Sequence, residues 1–269
     1  MSSTQTSGRS RKHPSNLQNF LLPLLDIFAL GAWGILLLKY WLSNQLNLLI
    51  HPNYFWLVVV TGIALLIIAA LRVLQLVTQW RQQASRKVPT MPVGQHLSLF
   101  PPGWSSALLL TTAILGLLVT PKVFTSQTAL QRGVTESVTM TRSQPQAFRG
   151  TSKPEERSLI EWARILNVYP EPDAYNGQPV KVQGFVVHPP NLSSQYLLIS
   201  RFVITCCAAD AYPVGLPVKL NGNRDAYPSD SWLEVEGKMI TETLNEKRQL
   251  TIEASSLKKI PEPANPYYY

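Results

Sequence analysis

The sequence predicts an N-terminal α-helical membrane region joined to a C-terminal, mainly β domain, a small barrel preceded by one short helix. Three observations predict it. The long apolar runs are confined to the first 120 residues. Basic residues flank those runs: residues 1–120 hold eight Lys/Arg against the single acid Asp26, a net +7, whereas residues 121–269 hold sixteen against fifteen acids, a net +1. Past the helix, apolar residues alternate with polar ones and glycines punctuate the pattern, which is strand periodicity. A net charge of +8 located around apolar runs is a membrane-topology signal. The near-neutral C-terminal part argues against a nucleic-acid surface.

Residues 1–16 read as a cytoplasmic tail and 17–120 as the transmembrane region. Its apolar segments are about 17–42, 53–77 and 104–120, giving three predicted transmembrane helices. A bilayer core of about 30 Å takes roughly 20 helical residues, so the first two are long enough and the third is near the lower limit. The first is too long for a cleaved signal peptide, and aromatic "LLLKYWL" stands where small residues belong. The tail carries Arg9, Arg11 and Lys12, the loop after the first helix has no Lys or Arg, and the next loop carries Arg72, Arg81, Arg86 and Lys87. By the positive-inside rule the tail and second loop are cytoplasmic. With three spans, everything after about residue 121 lies outside a cell membrane; with two, it lies in the cytoplasm. Asp26 falls within the first span, where a carboxylate marks a polar path, a partner helix or the headgroup level. "GAWG" at 31–34 offers a close-packing surface for helices.

Residues 121–155 are rich in Thr, Ser, Gln and Arg and read as a linker, followed by a soluble β-rich domain at 156–260 and a tail at 261–269. In "RSLIEWARIL" (157–166) Leu159, Ile160, Ala163 and Leu166 share one helical face. Five strands follow at 179–188, 195–205, 215–220, 231–240 and 248–254. Five short strands with Gly-marked bends suit a small barrel. The Val-x-Val-x-Gly pattern at Val180–Gly184, repeated loosely at Val235–Gly237, points to an oligonucleotide/oligosaccharide-binding-like (OB-like) form, with an antiparallel sandwich as the alternative.

The only two cysteines, Cys206 and Cys207, are adjacent. On a strand, neighbours point to opposite faces, so they act together only if the backbone turns there. The small residues of "CCAAD" permit that turn. Three readings stand: buried structural thiols, a strained and easily reduced disulfide, or ligands for a thiophilic ion such as zinc or copper(I), with Asp210 and His188 as further candidates. No Cys-x-x-Cys, phosphate loop, nucleophile elbow or paired His cluster is present, so no enzyme is expected beyond a minority thiol oxidoreductase reading.

"VQGFVV", "LLISRFVITCCAADAYPVGLPV" and "SWLEVEGKM" together resemble the bacterial family of permease subunits called the DUF1980 or YcgQ-like family. The resemblance covers about residues 175–260, and the apolar N-terminal half in general character. It implies a membrane-anchored subunit acting with a separate multi-spanning permease-like protein, with a link to metal-ion handling. Carried over by position, the motif residues are Arg201, Phe202, Cys206, Cys207, Ala209 and Asp210, with Gly184, Phe185, Trp232 and Gly237 as framework. Three apparent spans depart from the two that the family often has. Arg201 is then expected to stabilise a thiolate or to pair with Asp210. The expected function is a transport subunit whose β domain binds a ligand, such as a metal ion, or the permease partner through the Cys-Cys motif. A membrane-anchored thiol redox protein and an envelope scaffold are the alternatives.

Overall fold

A computed structural model describes residues 16–83, 103–134 and 153–269. The N-terminal tail, the basic loop with Arg86, Lys87 and His96, and most of the expected linker lie outside the described residues. The chain divides into two compact units: one is the helical region to Thr120 without Gln45–Tyr54, and the other joins Gln45–Tyr54 to Pro121–Tyr269.

The first unit contains α1 (Asn16–Leu42), α2 (Phe55–Gln83) and α3 (Trp104–Leu118). All three are leucine-rich, and their apolar side chains are largely exposed on the unit's surface, including Phe28, Ile35, Ile67, Leu108 and Leu115. Two stretches, Leu21–Leu42 and Pro52–Gln82, are long and apolar enough to cross a bilayer. α3 forms where a third span is predicted, but its 15 residues reach only about 22 Å. Among the described residues two helices, rather than three, therefore meet the length requirement.

Glycines set the helix contacts. A Cβ on Gly34 of α1 would lie 2.7 Å from Leu66 and 3.0 Å from the Gly62 carbonyl oxygen of α2. Gly31, the other glycine of the predicted close-packing motif, faces open space. α1 also serves the C-terminal end of α3, whose last carbonyls have no partner within the helix. Tyr40 donates to Gly116 O at 2.5 Å and Lys39 to Leu117 O at 2.8 Å. The Lys39 ammonium complements the negative end of the helix dipole. Farther along, the Trp33 indole donates to Leu109 O at 2.9 Å, and Ser106 donates its hydroxyl to Asp26.

The second unit is built on a six-stranded mixed sheet: β1 (Pro179–Val187), β2 (Tyr196–Val203), β3 (Tyr212–Lys219), β4 (Trp232–Leu244), β5 (Lys247–Ile260) and β6 (Tyr267–Tyr268). The order is β1-β4-β5-β3-β2-β6, and an additional β1–β2 pairing connects the first strand back to the fifth. β3 runs parallel to β5 at Val218↔Ile252, and β6 parallel to β2; the other pairs are antiparallel. All five expected strands occur, and the expected tail supplies a sixth.

Two glycines let the strands bend over one another. A Cβ on Gly184 would strike the Ser200 carbonyl, and one on Gly237 the Glu253 carbonyl, next to a bulge at Glu236/Gly237. β4 and β5 are joined at Asn245 and Glu246, both at positive φ, as the twist of a tight hairpin requires.

α4 (Ser126–Gln131) and α5 (Leu159–Val168) belong to this unit. α5 starts at a capping box in which Ser158 and Glu161 exchange hydrogen bonds of 2.6 and 3.3 Å. It buries Leu159, Trp162, Ile165 and Leu166 against Val180, Leu197, Leu216 and Met239 in the main core. Where a linker is predicted, α4 brings Ala129 into a second core with Val134, Phe185, Phe202 and Tyr267.

Candidate functional site

β2 ends at Val203 and β3 begins at Tyr212, and the cysteines lie in the connection between them. The chain bends at Thr205 and Cys206, Cys207 is extended, and Ala208–Asp210 closes a 3₁₀ turn. This is the turn the alternation argument demands, and it brings the two sulfurs to 3.7 Å. Both thiols are free. Cys206 is exposed and Cys207 partly so, which overturns the buried-thiol expectation.

Asp210 organises the turn. Its carboxylate accepts the backbone N–H of Cys206 at 2.9 Å and of Cys207 at 3.1 Å. Desolvation pushes its pKa upward, but hydrogen bonds from the Cys206 thiol, the two N–H groups and Thr205 together hold the carboxyl below its ordinary value. The effect on Cys206 is opposite. Asp210 accepting its thiol hydrogen, and the neighbouring Cys207, raise Cys206 to about 11. The thiol is therefore protonated at neutral pH and donates a hydrogen bond to the ionised carboxylate. One donor atom from each of Cys206, Cys207 and Asp210 lies within 4.8 Å of the others.

Two segments that the sequence did not connect with the cysteines hold this turn. Ile50 bridges to Cys207, His51 N–H donates to Cys206 O at 3.0 Å, and Ala208 N–H to Leu49 O at 2.7 Å. Arg132, next to α4, donates to the carbonyls of Ala208 and Ala211 and covers the Phe124 ring. The C-terminal Tyr269 hydroxyl donates to Asn47 O at 2.6 Å, and its ring meets His51 edge-on. His51 Nδ1 receives the Asn53 N–H at 3.1 Å. Neither segment announces itself in sequence, because the contacts are mostly backbone to backbone.

The other predicted residues occupy different places. His188 directs Nε2 at the Tyr227 carbonyl, 2.9 Å away, and is outside the sulfur–carboxylate cluster. Arg201 does not pair with Asp210. Its guanidinium donates to the carbonyls of Asn265 and Pro266 and stacks over Tyr268 and Trp232. It therefore clamps the C-terminal strand, because side chains alternate along β2 and residue 201 faces the tail. Phe185 and Phe202 stack at 5.6 Å, and Trp232 meets Phe185 edge-on at 5.9 Å. These framework residues, with Gly184 and Gly237, shape the sheet. Ala209 lies in the 3₁₀ turn.

What can this arrangement do? A tetrahedral ion with metal–sulfur bonds of about 2.3 Å holds two sulfurs about 3.8 Å apart, and the observed 3.7 Å separation matches that edge. A disulfide fits less well, since adjacent residues have Cα atoms about 3.8 Å apart and disulfides prefer about 4.4–6.8 Å. The residues thus fit a thiophilic ion better than a disulfide, and an exposed three-donor turn leaves a coordination position open.

Fold and site define a class of protein, in which an apolar helical region precedes a β domain bearing an exposed vicinal dithiol. The chain matches the DUF1980 N-terminal domain over residues 25–135 and the DUF1980 C-terminal domain over residues 158–269. It belongs to the DUF1980 family. Comparison with curated proteins gave no match.

Proposed function

We propose that this chain is a membrane-anchored subunit of a transport system whose C-terminal β domain binds a thiophilic metal ion, zinc or copper(I), through Cys206, Cys207 and Asp210. The observation that carries the reading is the 3.7 Å sulfur pair with a carboxylate in the same exposed turn. An open fourth position suits acceptance and transfer of an ion, whereas structural zinc sites are closed. Binding replaces thiol protons, so affinity rises with pH. The partner is a multi-spanning permease-like membrane protein, a role that the family resemblance implies.

Three membrane crossings belong to this reading. Gln45–Tyr54, the connection between α1 and α2, is part of the β unit. That connection and the β domain therefore share a side of the membrane, and a chain that leaves that side through α2 returns to it only through α3. The basic tail and second loop then face the cytoplasm, and the β domain lies outside. A short α3 is accommodated by local thinning of the bilayer. The strand order, with its β1–β2 pairing and parallel β3–β5 contact, supports an OB-like barrel. That likeness supplies a scaffold and no function of its own.

The test is a competition titration of the full-length protein in detergent with zinc and with copper(I). The full chain is needed because residues 45–54 and Arg132 hold the cysteine turn. The reading expects one ion per chain, with affinity lost in the Cys206→Ser/Cys207→Ser variant. Equal affinity in both proteins refutes it.

A further inference from the structure

The helical unit contains a cavity of about 550 Å³ lined by Pro23, Ile27, Leu30, Leu65, Leu76 and Leu109 together with Asp26, Arg72, Gln75, Gln79 and Ser106. Its polar groups converge from all three helices. Asp26 is on α1, Ser106 on α3, and Arg72, Gln75 and Gln79 form a stripe at i, i+3 and i+7 on α2. A carboxylate and a guanidinium thus line one cavity, yet no ion pair joins them. Among the described residues, Asp26 receives only the Ser106 hydroxyl, and Arg72 has no hydrogen bond or ion pair.

The cavity lies at one end of the helices. Asp26 is five residues inside the Leu21–Leu42 stretch, about 8 Å along the axis. Arg72 is ten residues from the end of Pro52–Gln82, about 15 Å. Ser106 is in the first turn of α3. All three positions fall at the end of the helical unit where α1 and α3 begin and α2 ends.

We infer that this cavity binds the headgroup of an aminophospholipid, with the phosphate on Arg72, Gln75 and Gln79 and the primary ammonium on Asp26. A purely anionic headgroup leaves the Asp26 carboxylate facing phosphate, and a lone cation faces Arg72. A quaternary ammonium carries no N–H to donate to the carboxylate. A phosphate and a primary ammonium on one ligand satisfy both charges and the carboxamides, and the apolar lining accepts the upper acyl chain. The inference rests on the membrane placement of the helices and is independent of the cysteine site.

The test is native mass spectrometry of the delipidated full-length protein offered equal amounts of dioleoyl-phosphatidylethanolamine, -choline and -glycerol. The ethanolamine lipid is expected to be retained about tenfold over the other two, the ratio of one charge-assisted hydrogen bond. Asp26→Asn brings the ratio to about one, whereas Arg72→Gln, which removes a contact to the phosphate that all three lipids share, lowers the retention of all three. Thr111→Ala on α3, outside the cavity lining and bonded among the described residues only to its own helix, preserves the preference, and unchanged helical circular dichroism in the Asp26 and Arg72 variants excludes misfolding. Equal retention of the three lipids by the wild-type protein overturns the headgroup site and leaves the membrane reading standing, whereas retention of none overturns both. Loss of the preference on adding equimolar free phosphoethanolamine assigns the cavity to a soluble zwitterion and overturns the lipid.

Discussion

Asp210→Asn, made in a Cys207→Ser background and assayed without metal, isolates the effect of the carboxylate on the Cys206 thiol. Asp210 is the largest cause of the rise of that thiol from 9.0 to about 11. The sign follows from what the carboxylate stabilises. It accepts the thiol hydrogen and repels the thiolate, so removing its charge lowers the thiol pKa. A full return to the ordinary value raises the thiolate fraction at pH 8 about a hundredfold; Cys207, absent from this background, and desolvation supply part of the rise, so the share that Asp210→Asn removes is smaller. Intrinsic nucleophilicity falls with basicity, with a slope of about 0.4–0.5, and takes back nearly tenfold over two pKa units. The net expectation is alkylation by iodoacetamide several-fold faster in Asp210→Asn, with about tenfold as the ceiling, narrowing above pH 9 as the variant ionises fully. Stopped alkylation with mass detection measures it. Equal or slower alkylation in Asp210→Asn refutes the hydrogen-bonded thiol–carboxylate pair on which the site is built.

Four further outcomes follow from the geometry. Arg201→Ala loosens the C-terminal strand but leaves metal affinity and Cys206 alkylation within about twofold of wild type, since its guanidinium serves the tail; a large loss of affinity contradicts the placement. Tyr267→Ala removes a buried ring from the second core and is expected to destabilise the β unit by about 3–5 kcal/mol in denaturant unfolding, as other large aromatic truncations do. Burial pushes the Tyr267 phenol up to about 12, so its contribution is complete below the unfolded value of about 10 and is lost as pH climbs toward 12; Tyr267→Phe should abolish that alkaline component of a stability–pH profile. Gly237→Ala places a methyl against the Glu253 carbonyl at the bulge, and unfolding midpoints should report a loss of about 1–3 kcal/mol.

The sequence carried the elements better than their closure. α5 was legible because Leu159, Ile160, Ala163 and Leu166 repeat at helical spacing, and the structure adds the Ser158 cap. The five strands were legible from alternation and their glycines, with errors at the ends. β3 begins at Tyr212 rather than 215, because Pro213 reads as a breaker although it sits opposite Phe202 in the sheet. α4 and β6 were missed because each is short and takes its stability from tertiary contacts, Ala129 and Tyr267 entering a core built by distant residues. The polar composition around α4 and the proline-rich approach to β6 suggested loops.

The candidate site divides in the same way. Cys206, Cys207 and Asp210 were legible because they are local, and one turn of chain brings them together. The need for a turn followed from strand geometry alone. The roles of Arg201 and His188 were not legible, since residue type says what a side chain can do and only the fold says where it points. Arg132 and the 45–54 segment reach the turn across long stretches of sequence and largely through backbone groups, which carry no sequence signature. Asp26 was marked by its cost within an apolar run, but its partner Ser106 required α3 packed on α1.

X-ray absorption at the zinc edge of the loaded full-length protein tests the central claim most directly. The account predicts two sulfur ligands at about 2.3 Å with the remaining shell of oxygen or nitrogen at about 2.0–2.2 Å, and loss of the sulfur shell in Cys206→Ser/Cys207→Ser. A shell without sulfur in the wild-type protein, or one unchanged by the double substitution, contradicts it.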